Sequence, residues 1–354
     1  MTIISPPILS TFTKTPWPEL SKFESNQTLV INNYHGNITK NNYKNQKVVI
    51  YTCFGEVLSD QELADVLEFF KNSFTIILTT RKYSHNYEEK YNCKIICLPS
   101  AYAWYSKEIP TININLENRK FNRYFLSLNN RAQWNRQALL QFLLQFKLLD
   151  KFYFSYHHED RFGVGRKLLY NKINEIIGNV WYNNQLDLES VFNMLPITAE
   201  FDYFKNNDWS VGNAVYYESS FGSVVSETYV DENYNAFFTE KIFKPIAFGH
   251  PFLLFSSAGA LSKLKELGFE TYPTIFDESY DTIESSQQRF EFLLRQVLCI
   301  CDRPINELQE IYDIVKPIVK HNYEYFWNDW HKIYQTNMIQ VSEQIKELIA
   351  EATK

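Results

Sequence analysis

The sequence predicts an α/β protein, and three of its features support that class. Apolar runs of strand length alternate with helically spaced apolar residues along most of the chain. Glycine and proline interrupt this alternation at element boundaries, as at Gly249, Pro251 and Gly268. The length of 354 residues is too great for one ordinary domain and comfortable for two. We therefore expect parallel sheets, whose ligands bind at the carboxyl ends of the strands.

Composition argues against several classes of protein. Hydrophobic residues make up 45% of the chain and aromatic residues 17%, as in a globular protein. The net charge of −6 argues against a general nucleic-acid binder, which usually shows a basic face. No stretch approaches the roughly 18 apolar residues of a membrane span, and the N-terminus lacks a signal-peptide pattern. The five cysteines are odd in number and include no Cys-x-x-Cys, so we expect a cytoplasmic protein with reduced thiols.

The first domain is predicted over residues 1–118. Residues 1–45 show little periodicity and are expected to be extended segments. Apolar runs predict strands at residues 47–54, 74–79 and 94–98, and helical spacing predicts a helix at residues 60–72. Ser59 or Asp60 is expected to cap that helix. These elements form a small α/β domain.

The second domain is predicted over residues 119–325, and it opens on a strand that begins at Tyr124. A polar turn and a helix that extends to Asp150 are expected to follow. Asn129 would end the strand, and Arg131 and Arg136 would lie in the first turns of the helix. A helix N-terminus beside a guanidinium group favours a diphosphate. The alternative is that both arginines cap a surface helix or form salt bridges on it.

The central stretch of the second domain runs from residue 226 to residue 281. Its apolar runs and helical spacing predict strands at residues 223–229, 251–256 and 270–276, separated by helices at residues 240–248 and 259–267. Thr239 is a good N-cap, and the carboxylate of Glu240 is favoured in the first turn of a helix. With Glu227 and Lys241, these residues are expected at the carboxyl end of the sheet.

The pattern of this stretch resembles the donor-binding domain of α1,3-fucosyltransferase-like enzymes. That family has Glu-Asn-(Ser/Thr), then (Val/Thr)-Thr-Glu-Lys at the start of a helix, then an apolar strand. The counterparts here are Glu227-Thr228, Phe238-Thr239-Glu240-Lys241 and residues 251–255, with Thr228 in place of the family's Asn. The resemblance extends over about residues 124–289 and is weak over residues 1–115. It implies the GT-B architecture, in which two Rossmann-like domains face a central cleft and a C-terminal helix, residues 326–354, crosses back to the first domain.

The resemblance also implies an activity, which is inverting transfer from a nucleotide sugar to a glycan or another hydroxyl acceptor. A GDP-linked donor is one option. Lys241 and Arg136, with Arg131 as the second choice, would clamp the diphosphate. Glu240 would contact the donor sugar or ribose, and Glu227 the donor sugar. Because the chain lacks an Asp-x-Asp pair, we expect metal-independent transfer with no cofactor.

Three further assignments keep two interpretations each. Glu56, which follows the first predicted strand, is the candidate general base or a solvated loop acid. Tyr217 can stack on a nucleotide base or pack in the core of a chain with 24 tyrosines. Residues 277–281 can bind donor or acceptor hydroxyls or can cap helices, with Arg289 pairing with a carboxylate.

Two other functions remain open from the sequence. One is a DNA- or nucleotide-modifying glycosyltransferase, which would need a basic acceptor cleft. The other is a catalytically silent binding protein that keeps the fold and lacks a base.

Overall fold

The computed structural model describes residues 20–32, 46–52, 58–79, 83, 85–97, 114–129, 133–156, 197, 214–231 and 236–354. Within these residues the protein is of the α/β class, as predicted, with two four-stranded sheets whose strands all pair in parallel. The chain divides into two compact units, residues 1–108 with 328–354 and residues 109–327. None of the described helices is both long and apolar enough to cross a membrane.

The strands are β1 (Thr28–Asn32), β2 (Val48–Thr52), β3 (Phe74–Thr79), β4 (Cys93–Cys97), β5 (Arg123–Asn129), β6 (Phe152–Tyr156), β7 (Ser220–Ser226) and β8 (Phe252–Phe255). The helices are α1 (Asp60–Phe69), α2 (Tyr87–Lys90), α3 (Trp134–Gln145), α4 (Ala214–Ser219), α5 (Glu240–Ala247), α6 (Ala260–Glu266), α7 (Ser286–Cys301), α8 (Glu307–Tyr325) and α9 (His331–Thr353). A π-helical turn, Phe326–Trp330, joins α8 to α9.

The first unit is built on the sheet β1-β2-β3-β4. Strand β2 is buried along its whole length, as expected of a central parallel strand covered on both faces. Ser59 caps α1 in a capping box, because its hydroxyl accepts from Glu62 N at 3.2 Å and the Glu62 carboxylate accepts from Ser59 N at 2.7 Å. Strand β1 was not predicted, because its apolar run is short and only its pairing with β2 makes it a strand.

The second unit is built on the sheet β6-β5-β7-β8. From β5 the chain continues to β6 on one side, and from β7 it continues to β8 on the other side. The neighbouring strands β5 and β7 therefore have connections that run in opposite directions from their carboxyl ends. Open α/β sheets bind ligands at such a topological switch point.

Two predicted elements of this unit differ from the structure. Helix α3 ends at Gln145, well before Asp150, and Lys147 then adopts a left-handed φ of 55°. Residues 270–276 form a turn and no strand. Glu270 N donates to Asn322 Oδ1 at 2.7 Å, and Tyr272 N donates to a Glu278 carboxylate oxygen at 2.7 Å. These two backbone N–H groups are therefore not available to pair with a neighbouring strand.

A buried histidine lies at the amino end of this sheet. His250 is fully buried, with Nε2 2.8 Å from the Ser220 carbonyl and Nδ1 2.7 Å from the Ser223 hydroxyl. The carbonyl therefore accepts from Nε2–H, and the hydroxyl donates to Nδ1. Burial, helped by the nearby charge of Arg119, lowers the pKa of His250 to about 3. The imidazole is therefore neutral over the physiological pH range.

We expect this histidine to make the protein sensitive to acid. The unfolded chain binds a proton at His250 below a pH of about 6.5 and the folded chain does not, so stability is lost as the pH falls from there towards 3. The loss approaches about 1.4 kcal/mol per pH unit from this group alone. Urea unfolding at pH 7 and pH 5 should show a smaller loss in His250→Gln than in the wild type. The control is His321→Gln at an exposed position; equal losses in all three proteins would contradict the prediction.

Candidate functional site

The start of α3 is attached to the chain that leaves β7. Three side chains donate to three consecutive carbonyls: Gln133 Nε2 to Thr228 O at 3.3 Å, Asn135 Nδ2 to Glu227 O at 3.4 Å and Arg136 Nη2 to Ser226 O at 3.4 Å. These contacts bridge the topological switch point between β5 and β7. Gln133, the N-cap residue of α3, makes no side-chain cap hydrogen bond, so within the described residues no cap occupies the backbone N–H groups of the first turn. Such groups are potential anion donors.

Glu227 holds the start of α5 in place. Its carboxylate accepts from Thr239 N at 3.1 Å and from Thr239 Oγ1 at 2.6 Å, and the side chain is fully buried. Burial raises the pKa of Glu227, although Lys241 and the Thr239 hydrogen bonds oppose the rise. Both carboxylate oxygens therefore face Thr239, which gives Glu227 a positioning role in this structure.

Lys241 is a partly accessible cation, with 23% of its side chain exposed. Its ammonium group lies 2.9 Å from Thr239 Oγ1 and 3.1 Å from Glu240 Oε1. Thr239 also caps α5 by accepting from Lys241 N at 3.3 Å, as predicted. Glu227, Thr239 and Lys241 thus form one chain of contacts from the buried strand end to the surface.

Glu240 lies on the first turn of α5, where its second oxygen, Oε2, has no hydrogen-bond partner among the described residues. Burial alone would raise its pKa, but Lys241 and Lys244 outweigh that effect and lower it. Glu240 is therefore an ionised acceptor, and its Oε2 is buried without a partner among the described residues.

The structure brings most of the predicted site residues to this edge. Arg136 lies in the first turn of α3, but its side chain is only 2% exposed and points to the Ser226 carbonyl. Asn129 ends β5, where its backbone N donates to Ser155 Oγ at 3.1 Å. Glu56 and Arg131 lie outside the described residues.

Tyr217 is not part of this cluster. It precedes β7, so it lies at the amino end of the sheet, a strand length from Glu227. Its ring stacks on Phe248, with centroids 4.0 Å apart and planes 7° from parallel, and it contacts the edge of His250. Of the two interpretations, the structure favours core packing.

The polar residues at 277–281 include two that cap helices. Asp281 accepts from Leu261 N at 2.9 Å and Ser262 N at 3.1 Å, which occupies the N-terminus of α6. Arg289 donates to backbone carbonyls, including Ser256 O at 2.9 Å and Val230 O at 2.6 Å. These contacts connect the segments that follow β7 and β8 to α6 and α7.

Sequence reasoning missed a set of buried polar side chains at the same edge. Those with an atom that lacks a partner among the described residues are Gln133, Asn135, Gln137, Tyr156, Ser226, Ser256 and Ser257. A signal was available for some of them, because glutamines recur every four residues from Gln133 to Gln145, on a helix whose other residues are apolar from Ala138 onward. The hydroxyls at the strand ends gave no comparable signal.

The register of the sheet places several of these groups side by side. Asn129 pairs with Tyr156. Strand β5 pairs with β7 in a register that aligns Leu126 with Ser223, and the same register extended by three residues aligns Asn129 with Ser226. Burial raises the pKa of Tyr156, opposed by the charge of Arg136. The phenol and the guanidinium therefore lie close enough to interact.

Comparison with known protein families, with curated proteins and with solved structures finds no match to this chain. The described part of the chain also contains no group of three or more His, Cys, Asp or Glu side chains arranged to hold a metal ion. Function is therefore inferred from the geometry of the switch point and from the sequence pattern that forms it.

Proposed function

We propose that the protein is a glycosyltransferase that moves a sugar from a nucleotide sugar to a hydroxyl acceptor. The donor would bind at the carboxyl edge of the sheet β6-β5-β7-β8. The observation that carries the proposal is the position of Lys241 and Glu240, which begin a helix at the switch point. Lys241 Nζ and Gln133 Nε2, at the start of α3, both contact Thr228. The resemblance to fucosyltransferase-like donor domains supports it, and the GT-B architecture is part of the proposal.

The chemistry required of such a site is electrostatic. Sugar transfer passes through an oxocarbenium-like transition state while negative charge builds on the leaving diphosphate. Lys241 and the N–H groups at the start of α3 would contact that diphosphate. Arg136 is buried, and its charge would act through the poorly screening interior, where Coulomb interactions are stronger than in water.

The acceptor half of the reaction belongs to the proposal as well. An inverting transfer needs a base that removes the acceptor proton as the hydroxyl attacks the anomeric carbon. Glu56 is our candidate for that base. A GDP-linked donor and a glycan acceptor are the substrates that the resemblance favours.

The proposal is tested by thermal stabilisation with a panel of nucleoside diphosphates and nucleotide sugars, with and without EDTA. A ligand that binds only the folded state raises the melting temperature by mass action. We expect stabilisation by one nucleotide series that persists in EDTA. No shift with any of the compounds would overturn the proposed donor site, and a shift without transfer or hydrolysis would favour a silent binding protein.

A further inference from the structure

Gln133 occupies the N-cap position of α3, but its side chain does not cap that helix. N-cap positions favour short polar side chains that reach back to their own helix, and glutamine is not among them. The Gln133 amide instead donates from Nε2 to the carbonyl of Thr228 at 3.3 Å. Thr228 lies two residues beyond the end of β7, past the last pair of the ladder with β8. The contact therefore ties the start of α3 to a segment that has left the sheet.

Thr228 also contacts Lys241. The hydroxyl of Thr228 lies 3.4 Å from Lys241 Nζ, so two successive contacts lead from the amide of Gln133 to the ammonium group. Both contacts are partly buried, and water competes less for such groups than it does at an open surface. Gln133 and Lys241 are thus linked through one residue, although they are far apart in sequence.

The ammonium group of Lys241 depends on its contacts for a fixed position. It carries three N–H donors at the end of a flexible four-carbon stem. The three acceptors that it meets are Thr228 Oγ1 at 3.4 Å, Thr239 Oγ1 at 2.9 Å and Glu240 Oε1 at 3.1 Å. Thr239 and Glu240 belong to the start of α5, as Lys241 does, whereas Thr228 does not. Thr228 is therefore the contact that relates the ammonium group to the rest of the switch point.

Resting on the proposed function, we infer that Gln133 is a positioning residue for diphosphate binding. Through Thr228 it fixes the ammonium group of Lys241 relative to the start of α3. The bonds between Glu227 and Thr239 hold the backbone at the start of α5, and Gln133 holds the end of the lysine side chain. A cation that is fixed before the ligand arrives loses little rotamer freedom on binding, so the ligand binds more tightly.

A double-mutant cycle tests this role of Gln133. The proteins are the wild type, Gln133→Met, Thr228→Val and the double variant. Methionine keeps the length of glutamine without the amide, and valine keeps the shape of threonine without the hydroxyl. The control is Gln141→Met, the same change at a buried position about two turns further along α3. Each protein is titrated by calorimetry with ADP, CDP, GDP, TDP and UDP, and its melting temperature is measured without ligand.

We expect Gln133→Met to weaken binding of the nucleoside diphosphate that the wild type binds by about fivefold, the scale of one hydrogen bond. In the Thr228→Val background the same change should have little effect, because the link to Lys241 is already broken. Gln141→Met should bind like the wild type.

The melting temperature separates positioning from a role in folding. Gln133→Met should melt close to the wild type, because it loses one hydrogen bond and also removes Gln133 Oε1, which is buried without a partner among the described residues. A role confined to folding would lower the melting temperature, and the loss of affinity would not depend on the Thr228 hydroxyl.

The outcomes distinguish the inference from the proposed function. If no nucleoside diphosphate binds the wild type, the proposed donor site fails and the inference fails with it. If the wild type binds one and Gln133→Met binds it as Gln141→Met does, the inference fails and the donor site stands. Equal weakening by Gln133→Met with and without the Thr228 hydroxyl also overturns the inference, because Gln133 would then act on α3 itself.

Discussion

Replacing Lys241 by Ala is expected to weaken nucleoside diphosphate binding by about 10- to 100-fold, the range for a lost hydrogen bond to a charged group. Sugar transfer should fall at least as far, because the developing charge on the leaving diphosphate loses an accessible counter-charge. The affinity is measured by calorimetry and the transfer rate by product formation, each with the nucleotide series that stabilises the wild type. Lowering the salt concentration should enlarge the difference, since exposed charges are less screened.

The fold should survive this substitution. Removing the ammonium group breaks a partly buried pair, so some stability should be lost, but Lys244 also lowers the pKa of Glu240 and still compensates its charge. The melting temperature without ligand measures that loss. Lys263→Ala is the matched control, because Lys263 forms an exposed pair with Glu266 on α6 and has no role in the proposed site. Equal nucleotide affinity in Lys241→Ala and Lys263→Ala would contradict the assignment of the diphosphate to Lys241.

Replacing Glu227 by Ala is expected to cost about 3 kcal/mol of unfolding free energy, because Thr239 N and Oγ1 would be buried without an acceptor. Glu227→Gln should cost far less, since the amide keeps the volume and can both accept from Thr239 N and donate to Thr239 Oγ1. Urea unfolding at fixed pH measures the loss of unfolding free energy in each variant. Glu266→Ala, at an exposed position on α6, is the control and should change stability little.

The pH dependence distinguishes the two Glu227 variants further. The pKa of Glu227 is higher in the folded chain than in the unfolded chain. The stability that the folded chain gains by binding this proton is therefore fully present below a pH of about 4.3, and it is lost as the pH rises through the folded pKa. Relative to Glu227→Gln, the wild type should therefore lose stability as the pH rises from that point. A difference that is independent of pH would show that Glu227 does not titrate in this way.

Nucleotide binding by Glu227→Gln tests its role at the site. The structure has both carboxylate oxygens on Thr239, so we expect the amide to keep Lys241 in place and to preserve affinity for the free diphosphate. A large loss of sugar nucleotide affinity, with the diphosphate unaffected, would instead favour the direct donor contact that the family resemblance implies.

The sequence by itself determined the elements with strong local patterns. Strand β3 has the predicted limits, and β2 and β4 differ from prediction by one or two residues. Helix α5 begins at Glu240 with Thr239 as its cap, because capping depends on a few consecutive residues. Local periodicity, cap residues and Gly or Pro breaks carry that information within a single segment.

Only the tertiary structure decided which residues meet. Strand β1 exists through pairing with β2. Residues 270–276 are no strand because two side chains, one of them the distant Asn322, take their backbone donors. The order of the second sheet brings the end of β5 beside the end of β7, so Arg136 joins Glu227 and Lys241, while Tyr217 lies a strand length away. Parallel pairing joins segments that are far apart in sequence, and burial then fixes the chemistry of polar groups such as Glu227 and Tyr156. Neither effect is encoded in a local pattern.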